Sequence, residues 1–118
     1  MLAACTRCGA CFDACPMIAY APEARGTDAA TAVRGVLDVL TGGEGGAAAR
    51  NWISVCTRSA SCNPACPEAV NPMLMLRLAK WRGNETGAIA KRDASETRSR
   101  VKVFARLSFT DDEQRDWL

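Results

Sequence analysis

The chain has 118 residues, 15 Lys and Arg against 13 Asp and Glu, and 7 cysteines. Of its hydrophobic residues 21 are Ala and 7 are Cys, so one compact domain with a thin core is the ceiling, and only Cys is abundant enough to staple it. The formal charge of +2 is too weak to argue for nucleic acid, and no apolar run approaches the ~18 residues of a membrane-spanning helix.

The first element is a run of thiols: Cys5, Cys8, Cys11 and Cys15, followed by Pro16. No charged leader with an apolar segment precedes it, so we expect a chain on the cytoplasmic side. Thiols stay reduced there, and clustered cysteines read as metal ligands rather than disulfides. C-x2-C-x2-C-x3-C-P is the bacterial iron–sulfur spacing. Three thiolates at intervals of three on a tight loop can face one cluster, while Cys15, starting a helix beside Pro16, points toward a second. Gly9 supplies the positive φ and close backbone approach that such a loop needs. Arg7 here, and Arg58 in the later motif, could offset cluster charge, or each could be an ordinary exposed arginine.

A helix follows, capped by Thr27 or Asp28, with Val33, Val36, Leu37 and Leu40 at helical spacing and Gly42 and Gly43 as its end. After a Gly-rich turn, a short helix over Ala47 to Val55 carries Trp52 and Ile53 toward the second motif. Trp52 reads as core packing rather than as a redox group.

The second motif is Cys56, Cys62, Cys66 and Pro67, the same frame with Ser59 where a cysteine would stand. In two-cluster proteins the last cysteine of each run ligates the other cluster. Cluster I then takes Cys5, Cys8, Cys11 and Cys66, and cluster II takes Cys15, Cys56 and Cys62. Three thiolates suit a [3Fe-4S] cluster, so we expect one [4Fe-4S] and one [3Fe-4S]. The alternative is two [4Fe-4S] clusters, with Ser59 Oγ or solvent at the odd corner. Structural zinc fits poorly, because seven ligands do not divide between tetrahedral sites. With both clusters oxidised, each at about −2, the chain moves from +2 to about −2.

Asn71 and Pro72 start the next helix, with Asn as cap and Pro at the first turn. It is expected to run through Met73, Leu74, Leu76, Leu78 and Trp81 to a cap at Gly83. Residues 84–118 carry no cysteine and balance seven basic against seven acidic residues. Within them Val101, Val103, Phe104 and Leu107 oppose Arg100, Lys102 and Arg106 across a helical wheel. Thr110 and Glu113 make a capping box for a last helix over Asp111 to Leu118. This tail either folds back on its own core or docks Phe104, Leu107, Phe109, Trp117 and Leu118 on a partner; a membrane surface is a third reading. The expected architecture is thus mainly α: an α-helical ferredoxin-like dicluster domain over residues 1–83 and a charged, partly amphipathic docking extension over residues 84–118.

Cys5, Cys8, Cys11, Cys15 with Pro16, then Cys56, Cys62, Cys66 with Pro67, and the trailing Asn71-Pro72 resemble a known group over about residues 1–82. It is the α-helical dicluster ferredoxin domain of heterodisulfide reductase C-like proteins and of the C-terminal half of succinate dehydrogenase and fumarate reductase iron–sulfur subunits. The C-x5-C-x3-C-P run with Asn-Pro is similar to the succinate dehydrogenase pattern, which holds a [3Fe-4S] cluster. The resemblance implies an electron relay between a flavin-bearing partner and a quinone or a cysteine-rich redox subunit. The chain has no His, which departs from that family's quinone pocket and argues against direct quinone reduction.

The leading expectation is an electron-transfer subunit of a multisubunit, flavin-dependent oxidoreductase. It would have no substrate site of its own and would sit in a hetero-oligomer, in the cytoplasm or held to the inner face of the membrane by a partner. A freely diffusing ferredoxin and an iron or oxygen sensor with a labile cluster are the alternatives.

Overall fold

The computed structural model describes residues 2–91 and 93–117, the side chain of Trp117 excepted. All its described secondary structure is helical, as expected for a mainly α protein. In chain order come α1 (Ala10–Asp13), a 3-10 turn (Pro16–Tyr20), α2 (Ala29–Leu40), α3 (Gly46–Val55), α4 (Pro72–Thr86), α5 (Ala94–Ser108) and α6 (Asp111–Trp117).

Helix α2 is the hub, packing against α1, α3 and α4. It starts where Asp28 accepts hydrogen bonds from Thr31 N and Thr31 Oγ1, both at 3.1 Å, satisfying one of the orphan donors of the first turn. Its buried face is Ala32, Val33, Val36, Leu37 and Val39. Past Leu40 the chain turns back through Gly42, at φ 101°, and Asp38 Oδ2 ties the turn by accepting Gly45 N at 2.9 Å. Gly35 allows the α3 end of that turn to come close, because a Cβ there would collide with Gly45 O and Ala49 Cβ.

Helix α4 starts as its sequence dictates: Asn71 Oδ1 accepts Leu74 N at 3.0 Å and Pro72 occupies the first turn. One expectation about it needs correction, the cap at Gly83. The helix buries Pro72, Met75, Leu76, Ala79 and Gly83, whereas Leu74 and Trp81 are exposed and Arg77 lies over the Trp81 ring at 5.3 Å. The buried side is built partly from small residues because neighbours come close there. Gly83 does not end the helix. The left-handed cap is Gly87, at φ 83°, and Gly83 is internal because Ile89 folds back over it. Ile89 N donates to Gly83 O at 3.1 Å, and a Cβ on Gly83 would meet Ile89 Cδ1 at 2.8 Å.

The largest fully buried side chains are Trp52, Ile53, Met75, Leu76, Val33, Val36, Val39 and Pro72. At the other end of the chain, α5 packs on α6. The capping box at α6 forms, with Thr110 N donating to Glu113 Oε2 at 2.8 Å and Glu113 N to Thr110 Oγ1 at 3.4 Å. Of α5 only Ala105 is buried. Phe104 meets Phe109 edge-on at 6.3 Å, yet Val101, Val103, Phe104 and Leu107 stay exposed. Leu118 and the Trp117 side chain, both expected as docking residues, lie outside the described part. Among the described residues, no helix is long and apolar enough to cross a membrane.

Candidate iron–sulfur centre

The first cysteine loop winds by alternating handedness. Arg7 (φ 61°) and Gly9 (φ 85°) are left-handed. Arg7 Nη1 donates to Cys5 O at 3.2 Å, bracing the loop from outside. Gly9 is seated on the start of α2, where a Cβ would collide with Ala29 Cβ and reach the Ala29 carbonyl carbon at 2.9 Å. The segment is not a continuous tight loop, as its spacing suggests. After Gly9 it makes one helical turn, α1, with Asp13 N donating to Gly9 O at 3.1 Å, and this turn buries Cys11 and Phe12. Cys15 is then extended (φ −76°, ψ 120°) and leads into the 3-10 turn through Pro16.

The second loop repeats the first. Cys56-Thr57-Arg58 matches Cys5-Thr6-Arg7, and Arg58 (φ 61°) and Ala60 (φ 64°) are left-handed where Arg7 and Gly9 are. Ser59 therefore lies on the same local backbone as Cys8. Its hydroxyl is 3.2 Å from Ser61 Oγ, and Cys8 and Ser59 are both exposed. The repeated Cys-Thr-Arg tripeptide is the sequence signal that the two backbones coincide. Ala60 hides it, because alanine gives no hint of positive φ. Asn63 ties this loop to α4, its Oδ1 accepting Met73 N at 3.1 Å.

The fold brings thiols of the two loops together. Cys5, Cys8, Cys11 and, from the second motif, Cys66 line one recess, walled also by Val33 and Met75. Burial pushes the Cys11 thiol up to about 11, with the sulfurs of Cys62 and Cys5 adding to the effect. Burial likewise raises Cys62, and there the neighbouring sulfurs are Cys56, Cys15 and Cys66. Cys62 thus lies within electrostatic reach of Cys15 and Cys56, and the two groups adjoin through Cys11 and Cys62. Arg7 and Arg58 are both exposed.

This donor set fits iron–sulfur clusters. The ligating atoms are soft thiols, and two of them are buried where a bare thiolate is disfavoured and bound iron would hold the sulfur deprotonated. Among the described residues, no three Cys, Asp or Glu side chains converge on the position of a single ion. Four of the thiols rim a recess.

Helical scaffold, paired loops and thiol donors together define an iron–sulfur protein. Residues 4–71, more than half of the chain, match the family model described as a 4Fe-4S dicluster domain, and the chain belongs to that family. Its role is iron–sulfur electron transfer. No curated protein and no solved structure matched the chain.

Proposed function

We propose that the chain is an electron-transfer subunit of a multisubunit, flavin-dependent oxidoreductase, relaying electrons from a dehydrogenase partner to a cysteine-rich redox subunit or a quinone. The resemblance to heterodisulfide reductase C-like proteins and to succinate dehydrogenase iron–sulfur subunits belongs to this proposal, as does a docking role for residues 84–118 in a hetero-oligomer. The observation that carries the subunit reading is the apolar side of α5, with Phe104 63% and Leu107 84% exposed. An isolated carrier has no use for such a surface.

In this reading Cys5, Cys8, Cys11 and Cys66 hold a [4Fe-4S] cluster, Cys15, Cys56 and Cys62 hold a [3Fe-4S] cluster, and Ser59 faces the corner without a thiolate. The shared recess of the first set supports that division. The bound clusters supply one-electron chemistry. The chain's own part is to orient the thiolates on left-handed loops and to exclude water from Cys11 and Cys62 behind α2 and α3, which sets the local dielectric and with it the potential. Cys8, at the surface, marks the side on which a redox partner would approach.

Two measurements test this. Anaerobic affinity purification of the tagged chain from its native cells should bring down a flavoprotein in fixed ratio; a monomer that carries iron with no partner would return the reading to a diffusing ferredoxin. Low-temperature EPR with iron analysis should find about seven irons per chain and a signal in the oxidised state. About eight irons and a silent oxidised sample would mean two [4Fe-4S] clusters.

A further inference from the structure

The core holds one donor without an acceptor. Trp52 is fully buried on α3, and its indole Nε1 has no hydrogen-bond partner among the described residues. Leaving a buried N–H unsatisfied forfeits its hydration with nothing in return. A phenylalanine would fill much of the same space and keep the edge-on contact with Phe12, at 5.1 Å and 84°, without that penalty. The buried residues include no polar or charged side chain, and neither a backbone carbonyl nor a cysteine sulfur accepts from Nε1 among the described residues, so an acceptor has to come from a group bound beside it.

The position of Trp52 selects that group. Helix α3 packs against the 3-10 turn that follows Cys15. It ends one turn beyond Trp52, with Cys56 as its cap residue. The ring partner, Phe12, adjoins Cys11 in α1. Trp52 is therefore framed by the segments that carry Cys11, Cys15 and Cys56, and two of these three belong to the second cluster.

We infer that the Trp52 indole N–H donates a hydrogen bond to an inorganic sulfide of the cluster held by Cys15, Cys56 and Cys62, and so raises that cluster's reduction potential. The inference rests on the placement of the second cluster under Proposed function. The physical reason is charge: each electron added increases the negative charge on the sulfurs, so a fixed donor stabilises the reduced state more than the oxidised one. Trp52 is a positioning residue with respect to the relay. It holds the sulfur's environment and takes no electron itself.

The test uses the loaded protein. Trp52→Phe should bind the same iron, shift the second cluster's potential downward, leave the first cluster's unchanged, and abolish an exchangeable-proton coupling seen by pulsed EPR when water is replaced by D2O. A second measurement leaves Trp52 in place. In Trp81→Phe/Trp117→Phe, Trp52 is the only tryptophan, and ¹⁵N-indole labelling should give a nitrogen coupling to the second cluster's paramagnetic state. Full iron with an unchanged potential in Trp52→Phe, or no ¹⁵N coupling in the labelled protein, overturns the hydrogen bond while leaving the cluster assignment standing. Absence of any second-cluster signal in the parent protein overturns the assignment and this inference with it. If Trp52→Phe does not load iron, the ¹⁵N coupling alone decides.

Discussion

Gly9→Ala should cripple the protein, whereas Ala60→Gly, at the matching position of the second loop, should not. Gly9 sits at φ 85° and Ala60 at φ 64°, so the backbone conformation alone does not separate them. A left-handed residue with a Cβ costs roughly 1–2 kcal/mol, and Ala60 already bears that cost. The difference lies in packing. A Cβ on Gly9 would collide with Ala29 Cβ, and would stand 2.9 Å from the Ala29 carbonyl carbon and 3.1 Å from Ala30 N. Two of these atoms are backbone at the first turn of α2, the hub helix, so relief requires moving the loop or the helix. Overpacking of this kind costs about 1–3 kcal/mol, and with the strain the total is about 2–5 kcal/mol. Set against a domain stability of roughly 5–15 kcal/mol, that should lower the thermal midpoint by about 10 °C or more and reduce iron bound per chain. In Ala60→Gly, relief of strain and the added freedom of the unfolded chain oppose each other and leave a net change within about 1 kcal/mol. The assay is anaerobic thermal unfolding followed by circular dichroism, with iron counted on the same samples. Gly9→Ala melting with the parent and holding full iron would refute the view that the first loop is seated on α2 through the missing Cβ.

Two further outcomes are expected. Ser59→Cys supplies the absent thiolate on a backbone already shaped like that of Cys8; it should add about one iron per chain, remove the oxidised-state EPR signal and lower that cluster's potential, and an unchanged spectrum would show that Ser59 does not face the open corner. Crossed ligation predicts a crossed pattern of damage: Cys66→Ser should remove the first cluster's signal and spare the second, Cys15→Ser the reverse, and loss confined to the cluster of the same motif would reject the crossing.

Much of the scaffold is legible in the sequence because helix ends carry local chemistry. Asp28, the Asn71-Pro72 pair and the Thr110 to Glu113 box each announce a start through a side chain that satisfies orphan N–H groups, and all of them do so. The two cysteine runs, and with them the dicluster family, are legible from spacing alone. What escapes is decided by contacts between distant segments. Helix α4 shows a stripe of large residues, Leu74, Leu78 and Trp81, yet it buries Ala79 and Gly83 because Ile89 and the neighbouring helices come within reach there. Periodicity read from large side chains misses a face defined by small ones. Gly83 looks like a cap for the same reason, since glycine serves close approach as well as left-handed turns. Ala60 is the converse, a left-handed residue held by loop closure against its own preference. Trp52 reads as core from the sequence, and core it is. Only the structure reveals that its N–H lacks a partner, because satisfaction of a buried donor depends on groups far away in sequence.

Under the proposed division of ligands, the coincidence of the two loops would let one scaffold hold unlike clusters. Arg7 and Arg58, and Gly9 and Ala60, share a backbone conformation, so the loops are equivalent as cradles. They differ at the exposed Cys8 and Ser59, where a change of ligand leaves the packing of α2, α3 and α4 untouched. The buried members of the repeat, Cys11 and Cys62, are alike in chemistry, and the Cys62 sulfur adds to the upward shift at Cys11. Variation at the rim and identity in the core separate two demands. In the proposed assignment the buried thiols would staple a thin core and bring the two ligand sets side by side, while the exposed corner would set what each cluster is and how strongly it holds an electron.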